Sequence, residues 1–323
     1  MKRLEHAQAR LGGYSLLRPL AESKTSTDYL ATIGGDVSRY CVVKIITPQT
    51  AAPAAFEEYL QNAVDIARRV EHPQLIRVLE CGQQDGQHFI ATEYVPGTTL
   101  RAIHARLVDE GQRLPVPCAV SVGLLLITAL HRLAMADEGR GPLVHGNIRM
   151  DRVRVGISGV VKLDDFCVEH ASRKALGEAV RRPEYEQQRA EIGYGHLCVE
   201  QLMHEPLSAQ VDQYGVAAIM YELLAGRPPF ERHDVATTIA AVLGGTLVDL
   251  RRQASQVPEP LNKVIFRALE RRPEDRYASP AAMYSALESV ANGFDMTSAV
   301  GLLSGLAKGL ENEVAGAMTT PEP

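Results

Sequence analysis

The chain has no tryptophan, no paired cysteine motif, no excess of basic charge and no long uninterrupted apolar run. The missing tryptophan excludes nothing. The five cysteines, at 41, 81, 118, 167 and 198, are scattered and form no CxxC pair. That spacing speaks against a zinc site or a disulfide framework and fits a reducing compartment. A net charge of −5 over 323 residues argues against a general nucleic-acid binder. The opening "MKRLEHAQARLGGY" lacks the apolar core of a signal peptide. The most apolar run, "CAVSVGLLLITAL" (118–130), falls short of the ~18 residues of a membrane span and reads as a core helix. A cytoplasmic protein is the default expectation.

What is present is ordinary globular composition, 46% hydrophobic and 23% charged, with enough length for two sizeable cores. Short β-branched runs fill the first part: "YSLLRPL", "TDYLATI", "YCVVKII", "LIRVLEC" and "HFIATEYV". Turn signals at Gly34-Gly35-Asp36 and Asp85-Gly86 separate them. One helical segment, 54–70, interrupts them. From about residue 98 the period changes to that of helices, near 99–108, 116–135, 206–225, 234–243, 258–269 and 280–291. Two valine-rich strands, 152–156 and 159–163, lie among them. The expected architecture is α+β: a small antiparallel β lobe with one helix, then a larger helical lobe.

After Gly293 the sequence changes again. Leu302, Leu303, Leu306, Leu310 and Val314 share one helical face, and Gly301, Gly305 and Gly309 recur at every fourth position. A short amphipathic helix over 297–314 is expected, docked on the last lobe or offered to a partner.

Several segments, in order, resemble a bacterial serine/threonine protein kinase domain of the Hanks type. "LGGYSLLRPLAESKTSTDYLA" is similar to the first two strands and their glycine-rich loop, "CVVKII" to the third strand with its Lys44. "FIATEYVPGTTL" resembles the fifth strand and hinge, with Thr92 at the gatekeeper position. "VHGNIRMDRVRV" resembles the catalytic loop and "VKLDDFC" the metal-binding segment; "CVEQL", "VDQYGVAAIMYELLAGRPPF" and "RALERRPEDRYAS" complete the second lobe. The resemblance divides the chain into an extension (1–11), a kinase-like domain (12–292, with lobes of about 12–95 and 96–292) and a tail (293–323).

Phosphoryl transfer needs cradled phosphates, held metals, a carboxylate that orients the hydroxyl, and charge stabilisation. Matched to the family, the loop glycines become Ala21, Ser23 and Ser26, the adenine-roofing valine becomes Asp28, and the small alanine of the third strand becomes Val42. A carboxylate and added methyls against an apolar base slot disfavour adenine. Lys44 is kept, but its helix glutamate falls on Ala63, with Glu58 as fallback. An ion pair of Lys44 with Asp165, Glu22 or Asp28 is expected ahead of phosphate binding.

In the catalytic loop His145 is kept as a packing residue, Gly146 replaces an arginine, and Asn147 stands where the catalytic aspartate would be. A carboxamide cannot act as a general base. Arg149 replaces a lysine and keeps its charge, while Arg152 replaces the asparagine of the second metal, which a guanidinium cannot ligate. Asp165 is retained, and Arg152 is expected to point toward it. Between Asp165 and Glu200 the hydroxyls are Ser172, Tyr185 and Tyr194, and "RRPEYEQQR" is a charged stretch. Glu200 and Arg276 match the family's buried ion pair, and Asp212 its helix-start aspartate.

Fold-holding residues are thus present and reaction-bearing ones replaced. With the resemblance, this implies a catalytically inactive domain that serves as a protein-binding or regulatory module. It would carry no metal or cofactor, ATP without magnesium being a secondary option. Its partners would be cytoplasmic proteins, among them an active kinase or a membrane-associated complex, with no nucleic acid. The alternative is an active but atypical kinase, or another phosphoryl or nucleotidyl transferase, that recruits Asp151 or Asp164 as base and Asp165 for one metal.

Overall fold

The computed structural model describes residues 9–23, 26–47, 56–136, 143–167 and 193–319. Contacts divide the chain into two units. The first holds the described residues up to His72, Ile76–Tyr94 and 165–167; the second holds Pro73–Leu75, Val95–Asp164 and the described residues from 193 onward.

The first unit is a six-stranded antiparallel sheet in the order β1-β2-β3-β4-β6-β5 with one helix. Its strands are β1 (Arg10–Leu11), β2 (Tyr14–Glu22), β3 (Ser26–Ile33), β4 (Asp36–Ile46), β5 (Val78–Gln84) and β6 (Gln87–Glu93). Gly34 and Gly35, both at positive φ, close the β3–β4 hairpin, and Asp85-Gly86 does the same for β5–β6. These are the turns whose twist suits paired strands. Alternation along the strands sends Leu16, Ala31, Cys41, Val43, Phe89 and Ala91 into one core, with Tyr14 edge-on to Phe89 at 6.0 Å. Helix α1 (Phe56–Arg69) buries Phe56, Leu60, Ala63 and Val64 at helical spacing and packs on β5.

In the second unit, α3 (Val116–Ala134) and α5 (Ala209–Ala225) form the centre, with α2 (Leu100–Asp109), α4 (Val199–Met203), α6 (Val235–Gly244), α7 (Leu250–Gln253), α8 (Glu259–Ala268), α9 (Pro280–Ala291) and α10 (Met296–Thr319) around them. A three-stranded sheet, β7 (Gly97–Thr99), β8 (Val153–Gly156) and β9 (Val161–Leu163), completes it. Gly123 lets α3 meet α5 closely, since a Cβ there would lie 2.4 Å from the Met220 sulfur. At 19 residues α3 is long and apolar enough to cross a membrane by length and composition, although Arg132 lies within it. Its apolar surface is taken up by the unit itself: 67% of its most apolar window is buried.

The tail helix is longer than expected and turned about its axis. α10 runs to Thr319 and packs across α3, β7, β8 and α2. Its buried spine is Ala299, Leu303 and Ala307, while Leu302 is 52% exposed. Small residues win the buried face because the β8–β9 turn comes against the helix. A Cβ on Gly159 would sit 2.7 Å from the Val300 side chain and 2.9 Å from its carbonyl oxygen, and Ser304 Oγ donates to the Ile157 carbonyl at 2.6 Å. Gly301, Gly305 and Gly309 face open space. Gly159 also has φ +83°, so Gly159→Ala should destabilise this seam by about 1–3 kcal/mol. Hydrogen exchange should then quicken in α10 first; unchanged protection there would refute the seam's importance.

Candidate functional site

In the first unit, strand register brings one set of candidate residues together. Lys44 on β4 lies opposite Asp28 on β3 and Ile90 on β6, and Val42 lies opposite Leu30 and Thr92. Cross-strand partners share a face, so these six residues line the side of the sheet away from the Cys41–Val43 core. Lys44 is 3% exposed and its Nζ reaches both Asp28 carboxylate oxygens, at 3.1 and 3.2 Å, and Asp165 Oδ1 at 3.3 Å. Asp165 takes φ +77°, which an aspartate adopts at a cost of about 1–3 kcal/mol. At the β2–β3 turn, Ser23 N–H donates to the Ser26 carbonyl at 2.9 Å and Ser26 N–H donates to Ser23 Oγ at 3.1 Å. Ala63 is buried, and the Cys167 thiol donates to its carbonyl at 3.6 Å. Glu57, Glu58 and Asp65 are exposed on α1, so the fallback pairing of Lys44 with Glu58 gives way to Asp28 and Asp165.

In the second unit, the loop 143–152 carries the catalytic-loop positions. Asp212, at the start of α5, accepts from the backbone N–H of His145 at 2.8 Å and of Gly146 at 2.7 Å. His145 is wholly buried, and its Nε2 meets the Asp164 carbonyl at 2.9 Å. Gly146 has φ +75°, a conformation that glycine takes without steric cost. Its carbonyl accepts from Gln201 of α4 at 3.0 Å. Asn147 is buried; Ile148 presses on α5, where a Cβ at Gly215 would lie 2.6 Å from it. Arg149 donates to Asp151 at 2.6 Å, and Arg152 Nε lies 3.6 Å from the same carboxylate.

The family model for protein tyrosine and serine/threonine kinases matches residues 22–283. The chain belongs to this kinase family. It is 26% identical over 283 residues to the tyrosine-protein kinase MasK of Myxococcus xanthus, covering 86% of this chain and 43% of that protein. It is 28% identical over 279 residues to the serine/threonine-protein kinase PknD of Mycobacterium tuberculosis, covering 84% and 38%. The chain thus spans about two fifths of the length of these curated relatives. The crystal structure of the Mycobacterium tuberculosis PknI kinase domain shares its fold, with TM-score 0.66, 23% identity, and 89% and 98% coverage. The expectation of a domain that is not an enzyme is overturned by these relatives, which carry the names of tyrosine and serine/threonine kinases. Around the replaced residues 147 and 152, Asp212 and His145 still hold the backbone of the loop.

The kinase domain also contains groups that sequence reasoning passed over. Glu222, buried in α5, accepts from Arg101 at 2.8 Å and from the His196 ring, with His104 Nε2 at 3.4 Å. Burial alone would raise its pKa, but the His196 contact and Arg101 outweigh it and hold the carboxyl at about 2. Burial, acting ahead of the attraction of Glu222, pushes His104 below its ordinary value. The available signal was a lone acid inside the apolar run "YELLA". Glu200 pairs with Arg276 at 2.7 and 2.8 Å, both buried. Tyr194 lies in the short turn Tyr194–His196; Ser172, Tyr185 and the "RRPEYEQQR" stretch lie outside the described residues. All five cysteines are free, and burial pushes the Cys41 and Cys118 thiols up to about 11.

Proposed function

We propose that this chain is an atypical kinase domain of bacterial signalling, which transfers phosphoryl groups from ATP to a protein hydroxyl with displaced catalytic groups. The observation that carries the reading is Lys44 and Asp165, buried and 3.3 Å apart. These are the phosphate-binding cation and the metal-side carboxylate of phosphoryl transfer, and each is the residue type that the role requires. Asp165 offers the oxygen ligand that Mg²⁺ takes and Arg152 offers none, so the donor set fits one divalent ion rather than two. When bound, that ion would neutralise charge on the transferred group. Lys44 and Arg149 would bind phosphate oxygens, and Arg152 would supply fixed positive charge in place of the second ion. Asn147 would orient the acceptor hydroxyl, and Asp151, four residues along the same loop, would take its proton. Val42, Leu30 and Thr92 would bound the base. Partners are then protein substrates in the cytoplasm, where five free thiols are at home.

The reading predicts Mg²⁺-dependent transfer of labelled phosphate from ATP by the purified chain. Asp165→Asn should lower it at least ~100-fold, the scale of losing one preorganised charged group, and Asn147→Asp should raise it. Transfer that survives Asp165→Asn, or that no condition elicits, would sink the reading. Heat denaturation offers a second readout: ATP at ~100 Kd should add about 2.7 kcal/mol only when Mg²⁺ is present.

A further inference from the structure

Asp28 places an acidic side chain on the site face of the sheet, and register puts it directly across from Lys44. Both of its oxygens lie within 3.2 Å of the ammonium. The two strands are hydrogen-bonded neighbours, so this carboxylate is supplied to Lys44 at a high effective concentration. A phosphate oxygen seeking the same ammonium must compete with it, and must also approach a second negative charge. The neighbouring turn points the same way. The backbone N–H groups of Ser23 and Ser26, of the kind that would cradle phosphates in a glycine loop, already donate inside the turn.

We infer that Asp28 is an internal anion that occupies Lys44 in place of a nucleotide phosphate, and so sets the affinity of the site for ATP. This rests on the kinase reading above for what the ligand is, but its test is separate. Release of Lys44 requires the Asp28 contact to open, while Asp165, 6% exposed against 19% for Asp28, keeps hold of the lysine from its other side. Asp28 is then a specificity-determining residue: it favours ligands that bring enough cationic charge with their phosphates to offset the exchange. Metal-loaded ATP should be preferred over free ATP by more than Asp165 alone would give.

The test is calorimetric titration of the full chain with ATP, with Mg²⁺ and with chelator. The variants are Asp28→Asn, Asp28→Val, Lys44→Met and the Asp28→Asn/Lys44→Met pair. Asp28→Asn keeps the shape and removes the charge, so it stands as the test should Asp28→Val fold poorly. We expect both Asp28 variants to bind ATP at least tenfold more tightly, with the larger gain in chelator. In the Lys44→Met background the gain should vanish. An unchanged or weaker affinity in Asp28→Asn overturns the inference. So does a gain that persists without Lys44, which would mark plain charge repulsion. Tighter binding with no phosphate transfer by any variant leaves the inference standing and removes the kinase reading. Transfer with no response to Asp28 removes only the inference, and no ATP binding by any variant removes both.

Discussion

Replacing Arg276 with alanine should cost the protein about 3–5 kcal/mol, the largest single loss expected from one side chain. The guanidinium is 1% exposed and forms two charge-assisted bonds to Glu200. It also donates to the carbonyls of Glu270 at 2.8 Å, Gln210 at 3.2 Å and Arg271 at 3.2 Å, and lies 5.1 Å from the Tyr214 ring centre. Removing it strands a buried carboxylate and takes a donor from three carbonyls, of which Gln210 lies within the α5 helix. Replacing a buried pair by apolar residues is often harmless, but here the carbonyls would remain without their donor, each at a cost of about 1–3 kcal/mol. Glu200→Leu combined with Arg276→Met should therefore recover only part of the loss. Urea unfolding checks this, and a loss under ~1 kcal/mol for Arg276→Ala would show that the pair holds little.

Stability should also fall with acid in two stages, set by the cluster around Glu222. His104 is harder to protonate when folded than when unfolded, so stability begins to drop as pH falls below its ordinary value of about 6.5. Glu222, held at about 2 against an ordinary 4.5, contributes stability above pH 4.5 that is lost as pH falls toward 2. That gap is worth roughly 3 kcal/mol for a carboxylate buried this deeply. Unfolding free energies measured between pH 7 and pH 3 should trace both limbs. Glu222→Gln should flatten the lower one, and His104→Gln the upper. An acid profile indifferent to Glu222→Gln would refute the role of the cluster.

Much of this was legible before any coordinates. Helical spacing and apolar length located α2, α3, α5, α6, α8 and α9 to within a few residues; α8 has a clear apolar face, whereas α5 is buried all round. Gly34-Gly35 and Asp85-Gly86 marked their hairpins because those turns demand positive φ. The short helices α4 and α7 escaped, having too few turns for a period to show. The buried face of α10 was misread because leucines outweigh alanines in a hydrophobic pattern, whereas the Gly159 turn makes small residues fit. The Glu222 cluster joins α5, α2 and the 194–196 turn, and no local pattern connects them. The expectation of a domain that is not an enzyme rested on replaced residues such as Asn147 and Arg152, and the relatives' names as kinases overturn it.

α10 has a practical consequence. The family match stops at residue 283, yet the helix beginning at Met296 lies against α3, β7 and β8, and the Cys118 thiol donates to the Ala299 carbonyl at 3.5 Å. Family boundaries would thus cut through a cemented joint. A recombinant fragment trimmed at the family limit would carry an open apolar wound along α3 and would tend to clump, whereas one carried through 319 would keep its own dressing.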